Sequence, residues 1–237
     1  MRAPPILRGP LAVRFAALVL GLAIFAAGVV ALLESDLGLA PWDVLHQGIA
    51  ERTPLSFGQA SIVVGLLVLA LAWTLGASVG AGTVANAILV GVFVDLLLAV
   101  DTIGTLSEQG LGVHVALLIG GVAILGLGSA LYIGAGLGAG PRDSLMVVGA
   151  RRTPLRIGGT RAAIELTALA VGFALGGTVG VGTVVFALAI GPLVEGSLRL
   201  LAYAGLTVPQ SPGDAHAQLE DGSLSALPVS IELPEPR

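Results

Sequence analysis

The sequence predicts an all-α membrane protein of six transmembrane helices, arranged as two inverted three-helix repeats, each with a short interfacial or re-entrant helix. Three observations lead there. Of 237 residues, 55% are hydrophobic and 11% charged, with a mean hydropathy of +0.98, whereas a typical soluble chain is about 25% charged. Four uncharged runs are each long enough for one or two spans of about 20 residues. The third observation is a repeat with a period of 100 residues that needs no gap.

The elements follow in order. Phe15–Leu33 is the first uncharged run, too long for a signal peptide and followed by Glu34-Ser35-Asp36 rather than a small-residue cleavage site, so it reads as an anchor. Phe57–Val94 holds two spans, broken at Gly76–Gly82. Val115–Pro141 holds one, and Leu166–Val194 belongs to two more, broken at Gly176–Gly182. Helices are expected near 12–34, 57–75, 82–100, 111–134, 157–175 and 183–203. This divides the chain into a cytoplasmic N-terminus (1–10), repeat one (11–105), repeat two (106–205) and an acidic tail (206–237). The tail is rich in Pro, Ser and carboxylates, buries too little to fold alone, and is expected to be disordered.

Charge placement sets the orientation. All basic residues are arginines, and the net charge of −4 resides in residues 207–237, leaving 1–206 neutral. With a cytoplasmic N-terminus, ten arginines fall on the inner side and only Arg52 outside, which predicts a multi-pass plasma-membrane protein with both termini in the cytoplasm. No basic field exists to hold nucleic acid. The absence of cysteine excludes a disulfide scaffold, a thiol nucleophile and a Cys metal site. No catalytic motif is present, the two histidines of the membrane portion stand at its edges, and no metal, cofactor or enzymatic activity is expected.

The repeat carries most of the information. Leu37-Gly-Leu-Ala-Pro41-Trp-Asp43 lies over Leu137-Gly-Ala-Gly-Pro141-Arg-Asp143, Arg52-Thr-Pro-Leu55 over Arg152-Thr-Pro-Leu155, and Gly82-Thr-Val84 over Gly182-Thr-Val184. Over 37–98, 25 of 62 positions are identical. An odd number of spans per copy turns the second copy upside down, an architecture that in many secondary transporters places the binding site between repeats near the midplane.

Six residues are candidates for binding a substrate or ion. Asp43 and Asp143 stand in the first turns of short segments opened by Pro41 and Pro141, either as caps of interfacial helices or as carboxylates carried inward on re-entrant half-helices. Arg161 and Glu165, four residues apart, share one face of an otherwise apolar helix, where an ionisable group marks a functional site by default. Asp95 and Glu195 are equivalent positions late in the third span of each repeat; Glu195 has Arg199 one turn on, and Asp95 has no local partner. Ala87/Gly91 and Ala187/Gly191 have the small-residue spacing that lets helices pack closely and could serve a homo-oligomer.

The Gly-Leu-Ala-Pro-Trp-Asp43 segment, its echo Gly-Ala-Gly-Pro-Arg-Asp143 and the two Gly-Thr-Val elements resemble the YczE/YitT-like family of bacterial multi-pass membrane proteins over about residues 10–205. The chain departs from the YitT branch in lacking a soluble C-terminal domain and looks like the shorter YczE branch. The resemblance implies location, with no substrate or catalytic residues to carry over. The function expected is movement of a small solute or ion through a cavity between repeats, lined by Asp43, Asp143, Arg161 and Glu165. The alternative is a non-transporting membrane scaffold or accessory subunit that docks a partner protein.

Overall fold

The computed structural model describes residues 4–100, 110–138, 140–153 and 157–208. They form eight helices: α1 (Leu11–Ser35), α2 (Pro41–Arg52), α3 (Phe57–Thr74), α4 (Ala81–Val100), α5 (Leu111–Gly134), α6 (Pro141–Arg152), α7 (Ile157–Ala174) and α8 (Val181–Tyr203). The protein is an all-α membrane protein. Among the described residues α1, α3, α4, α5 and α8 are long and apolar enough to cross a membrane. The observed ends lie within two residues of the expected spans. Helix α7 has the length of α3, and its apolar sequence is interrupted by Arg161 and Glu165.

Local chemistry sets the boundaries. Helix α1 stops at Asp36, which adopts a left-handed conformation (φ 51°) and returns its N–H to Leu33 O. Helices α2 and α6 open on Pro41 and Pro141, where the missing N–H costs nothing, with Asp43 and Asp143 against the positive end of the helix. A reciprocal capping box between Ser56 and Gln59 starts α3. At the start of the tail, Thr207–Val208 forms a two-residue strand (β2) paired antiparallel with β1 (Ile6–Leu7), and Arg8 N–H donates to Leu206 O at 2.8 Å. The chain leaving α8 is thus tied to the chain entering α1. The remainder of the acidic tail lies outside the described residues.

The centre of the bundle is the crossing of α1 and α5, the most extensive helix contact in the molecule. Each step forward on α1 is a step back on α5. Arg14 reaches Ala135, Gly21 meets Gly128, Gly28 meets Gly121, and Ser35 O accepts from or is contacted by His114 Nδ1 at 2.7 Å. The helices are therefore antiparallel. Gly21 and Gly28 stand 100 residues before Gly121 and Gly128, so the same two glycines of each copy build both halves of the crossing. Lipid tails are as apolar as leucine, so close van der Waals packing at glycines is what holds such a pair together. Around the crossing lie Leu18, Leu22, Leu32, Leu118, Val122 and Leu125, all buried.

The loops between helices repeat this exchange. Gly82 N–H donates to Leu137 O at 2.9 Å, and Gly182 N–H donates to Leu37 O at 2.7 Å. Each loop needs a positive φ, supplied by Gly38 (110°) and Gly138 (132°), and a Cβ at either would meet the start of the other copy's last helix. Each half of the chain thus grips the other.

The halves differ in one respect. Helices α3 and α4 pack directly, with Gly58 and Gly91 in backbone contact and Gly65 against Ala87. Helices α7 and α8 have little direct packing, and Gly158 and Gly191 face open space among the described residues.

Candidate functional site

Helices α2 and α6 are buried or half-buried from Pro41 and Pro141 through their middle turns, and their C-terminal ends, at Glu51–Thr53 and Arg151–Thr153, are exposed. A helix lying flat on a surface would instead expose one face along its length. Helix α2 is wedged against α7 and α3, and α6 against α3 and α7. Their first turns arrive at one central cavity of about 120 Å³, to which all eight helices contribute.

Three of the six sequence-predicted residues, Asp143, Arg161 and Glu165, line the cavity, and Asp43, 4% exposed, lies outside its lining beside Arg142. Arg161 Nε donates to Glu165 Oε1 at 2.9 Å, the pair expected from their four-residue spacing. The Arg142 guanidinium stands 5.1 Å from the Trp42 ring centroid and 3.9 Å from Asp43 Oδ1. His46 Nδ1 lies 3.4 Å from Asp43 Oδ1, and its ring meets Phe57 edge-on. Asp143 makes no ion pair among the described residues, and lies in the field of Arg161, Arg142 and Glu165.

Asp95 and Glu195 lie elsewhere. Asp95 accepts from Gly58 N–H at 2.8 Å and from Ser56 Oγ–H at 2.5 Å, fastening the start of α3 to the end of α4. Glu195 pairs with Arg199 on its own helix. Neither lines the cavity.

Other cavity residues escaped the reading of the sequence. Asn86, Ser61, Ser129 and Tyr132 bring uncharged polar groups, while Trp42 and Arg142 bring the stacked indole and guanidinium. Asn86 carried a signal, as the sole asparagine of the chain, set within a span and opposite Phe186 in the second copy. Arg142 carried one too, as the charged counterpart of Trp42. Ser129 and Tyr132 carried none, because a serine or tyrosine in an apolar run is ordinary.

The comparisons with known proteins follow this geometry. A family of unknown function, DUF6198, matches residues 12–198. The chain belongs to this family. The match contains every residue that lines the cavity. An uncharacterized protein of Haemophilus influenzae is 36% identical over 185 residues, covering 78% of this chain and 83% of that protein. The uncharacterized membrane protein YczE of Bacillus subtilis is 35% identical over 195 residues, covering 78% of this chain and 86% of that protein. The family is therefore the YczE-like membrane family read from the paired Pro-Trp-Asp43 and Pro-Arg-Asp143 motifs. No solved structure matches.

Proposed function

We propose that the protein is a secondary transporter of a small solute or ion, built as an inverted repeat of six transmembrane helices in the plasma membrane. The cavity of mixed charge carries this reading, because all eight helices build it and it holds two arginines and two carboxylates within apolar surroundings. Charges in that position are expensive and mark substrate or ion pathways. The antiparallel crossing of α1 and α5 and the exchanged loop bonds support the inversion. Helices α2 and α6 act as re-entrant half-helices that carry Asp43 and Asp143 inward from opposite faces. The arginine bias puts both termini in the cytoplasm.

The asymmetry supplies the mechanism. In this reading the path is closed where Asp95 fastens α3 to α4 and open where α7 and α8 stand apart, between the cavity-lining Arg161 and Glu165 of α7 and Ile190 and Val194 of α8. In the proposed orientation the open end faces the cytoplasm. Exchange of the two arrangements between repeats would alternate access to a fixed site, as inverted-repeat transporters do.

An Ile190→Cys variant of this cysteine-free chain tests the reading. A membrane-impermeant thiol reagent is expected to label it from the cytoplasmic face of oriented vesicles. Adding Asp95→Asn, which weakens the opposite closure, is expected to raise labelling from the other face. A cysteine inert from both faces in either background, or equally reactive from both in the parent, overturns the proposal.

A further inference from the structure

The proposed cargo site has a charge pattern that selects its ligand. The cluster of Asp43, Arg142, Asp143, Arg161 and Glu165 sets two guanidiniums against three carboxylates. Arg161 is spent on Glu165, hydrogen-bonded at 2.9 Å. Arg142 lies over Trp42 and within 3.9 Å of Asp43. Asp143 is the carboxylate left without an ion-pair partner among the described residues. A carboxylate with no ion-pair partner in a largely apolar surround is costly; the nearby Arg142 and Arg161 offset part of that cost, and a bound cation in direct contact offsets more.

The neighbours of Asp143 define the kind of cation. A methyl group placed on Gly140 would lie 3.5 Å from both Asp143 Oδ2 and the Asn86 carboxamide oxygen, so these two acceptors are neighbours at the cavity wall, no more than twice that distance apart. Ser129 and Tyr132 bring hydroxyl groups to the same cavity, and Phe25, edge-on to Tyr132 with ring centroids 6.1 Å apart, brings an aromatic face. One carboxylate and one carboxamide are too few for calcium or magnesium, which take six or more oxygens or keep an ordered shell of water. Short N–H donors facing two neighbouring acceptors, with organic substituents against aromatic rings, suit a protonated amine. Trp42, whose buried indole N–H has no hydrogen-bond partner among the described residues, borders the cavity too.

We propose that the cavity binds a small organic monocation carrying a protonated amine, its ammonium group seated between the Asp143 carboxylate and the Asn86 carboxamide. This names the cargo of the transport reading and rests on that reading for what binding accomplishes.

The protein contains two tryptophans, Trp42 at the cavity and Trp73 exposed on α3 at 66%. A Trp73→Phe background therefore leaves Trp42 as the sole indole reporter. Methylammonium chloride, titrated at constant ionic strength into the purified protein in nanodiscs, is expected to give a saturable change in Trp42 fluorescence. Sodium chloride and tetramethylammonium acetate are expected to give none at the same concentrations. Asp143→Asn is expected to weaken binding at least about tenfold. Gly140→Ala is the second variant, because the backbone there (φ −60°) accepts alanine and the methyl makes only ordinary contacts, yet it stands 3.5 Å from both oxygens and narrows the space beside them. It is expected to weaken methylammonium binding with thermal stability unchanged.

No response to methylammonium overturns the proposal. So does a response to sodium or acetate of equal affinity, or full binding by both variants. Proteoliposomes separate the two readings. Binding without labelled methylammonium uptake above the protein-free rate upholds the ligand class and counts against transport. Protein-dependent uptake of another solute, with no amine binding, upholds transport and overturns this inference.

Discussion

Asp95 and Glu195 stand at equivalent positions of the two copies and do different work. Asp95 joins two helices by accepting from Gly58 N–H and Ser56 Oγ–H, whereas Glu195 spends its carboxylate on Arg199, an exposed partner one turn along α8. Capping interactions of the first kind are worth about 0.5–2 kcal/mol, and exposed ion pairs about 0–1 kcal/mol. Asp95→Ala is therefore expected to lower unfolding stability by about 1–2 kcal/mol, and Glu195→Ala by clearly less. Denaturant titration of both variants in the same detergent checks this; equal losses would remove the distinction. The same contrast limits what the sequence reveals at this scale. A charge in an apolar run is conspicuous, so Asp43, Asp143, Arg161 and Glu165 were legible as candidates. Whether a carboxylate bonds its own helix or another depends on which helix stands opposite. The Arg161–Glu165 and Glu195–Arg199 pairs follow from four-residue spacing; the Asp95 bond to Ser56, 39 residues away, does not.

At the scale of elements, identical letters again acquire different surroundings. Gly58 and Gly91 bring the backbones of α3 and α4 together, so a Cβ on Gly91 would collide with Gly58 O and Ile62. Gly191, in the same register of the second copy, has nothing within 4 Å of its would-be Cβ among the described residues. Gly91→Ala must push two helices apart, at about 1–3 kcal/mol. Gly191→Ala meets no obstacle and relieves the unfolded chain of glycine's freedom, so it is expected to be neutral or to stabilise by up to about 1 kcal/mol. Thermal unfolding of the paired variants reads this, and a Gly191 variant as damaging as the Gly91 variant would mean that α7 and α8 pack as α3 and α4 do. The helices themselves were legible to within two residues because glycines punctuate the apolar runs and prolines open α2 and α6. The unequal packing of the last two helices of each copy was not legible, since both copies carry the same small residues at the same spacing.

At the scale of the whole molecule, the repeat was legible because it runs without a gap, so equivalent positions could be read directly. Its physical consequence rests on the crossing of α1 and α5. Equivalent helices that pack antiparallel, through glycines one period apart, cross a bilayer in opposite directions if both cross it. In the proposed inverted arrangement the short helices α2 and α6 would emerge on opposite faces, which makes their exposed C-terminal ends the most direct reporters of inversion. Thr53 and Thr153 are exposed and stand 100 residues apart, just past those ends, and cysteine is close to threonine in size. In oriented vesicles Thr53→Cys is expected to react with an impermeant thiol reagent from the periplasmic or outer face only, and Thr153→Cys from the cytoplasmic face only. Labelling of both from one face would require α1 and α5 to enter from the same side, which the antiparallel register forbids for two spanning helices. It would therefore mean that α5 does not span, because α3, α4 and α5 separate Thr53 from Thr153 and α1 precedes both. Opposite labelling is the outcome the inverted repeat requires, with the ends of α2 and α6 on the two sides of the membrane.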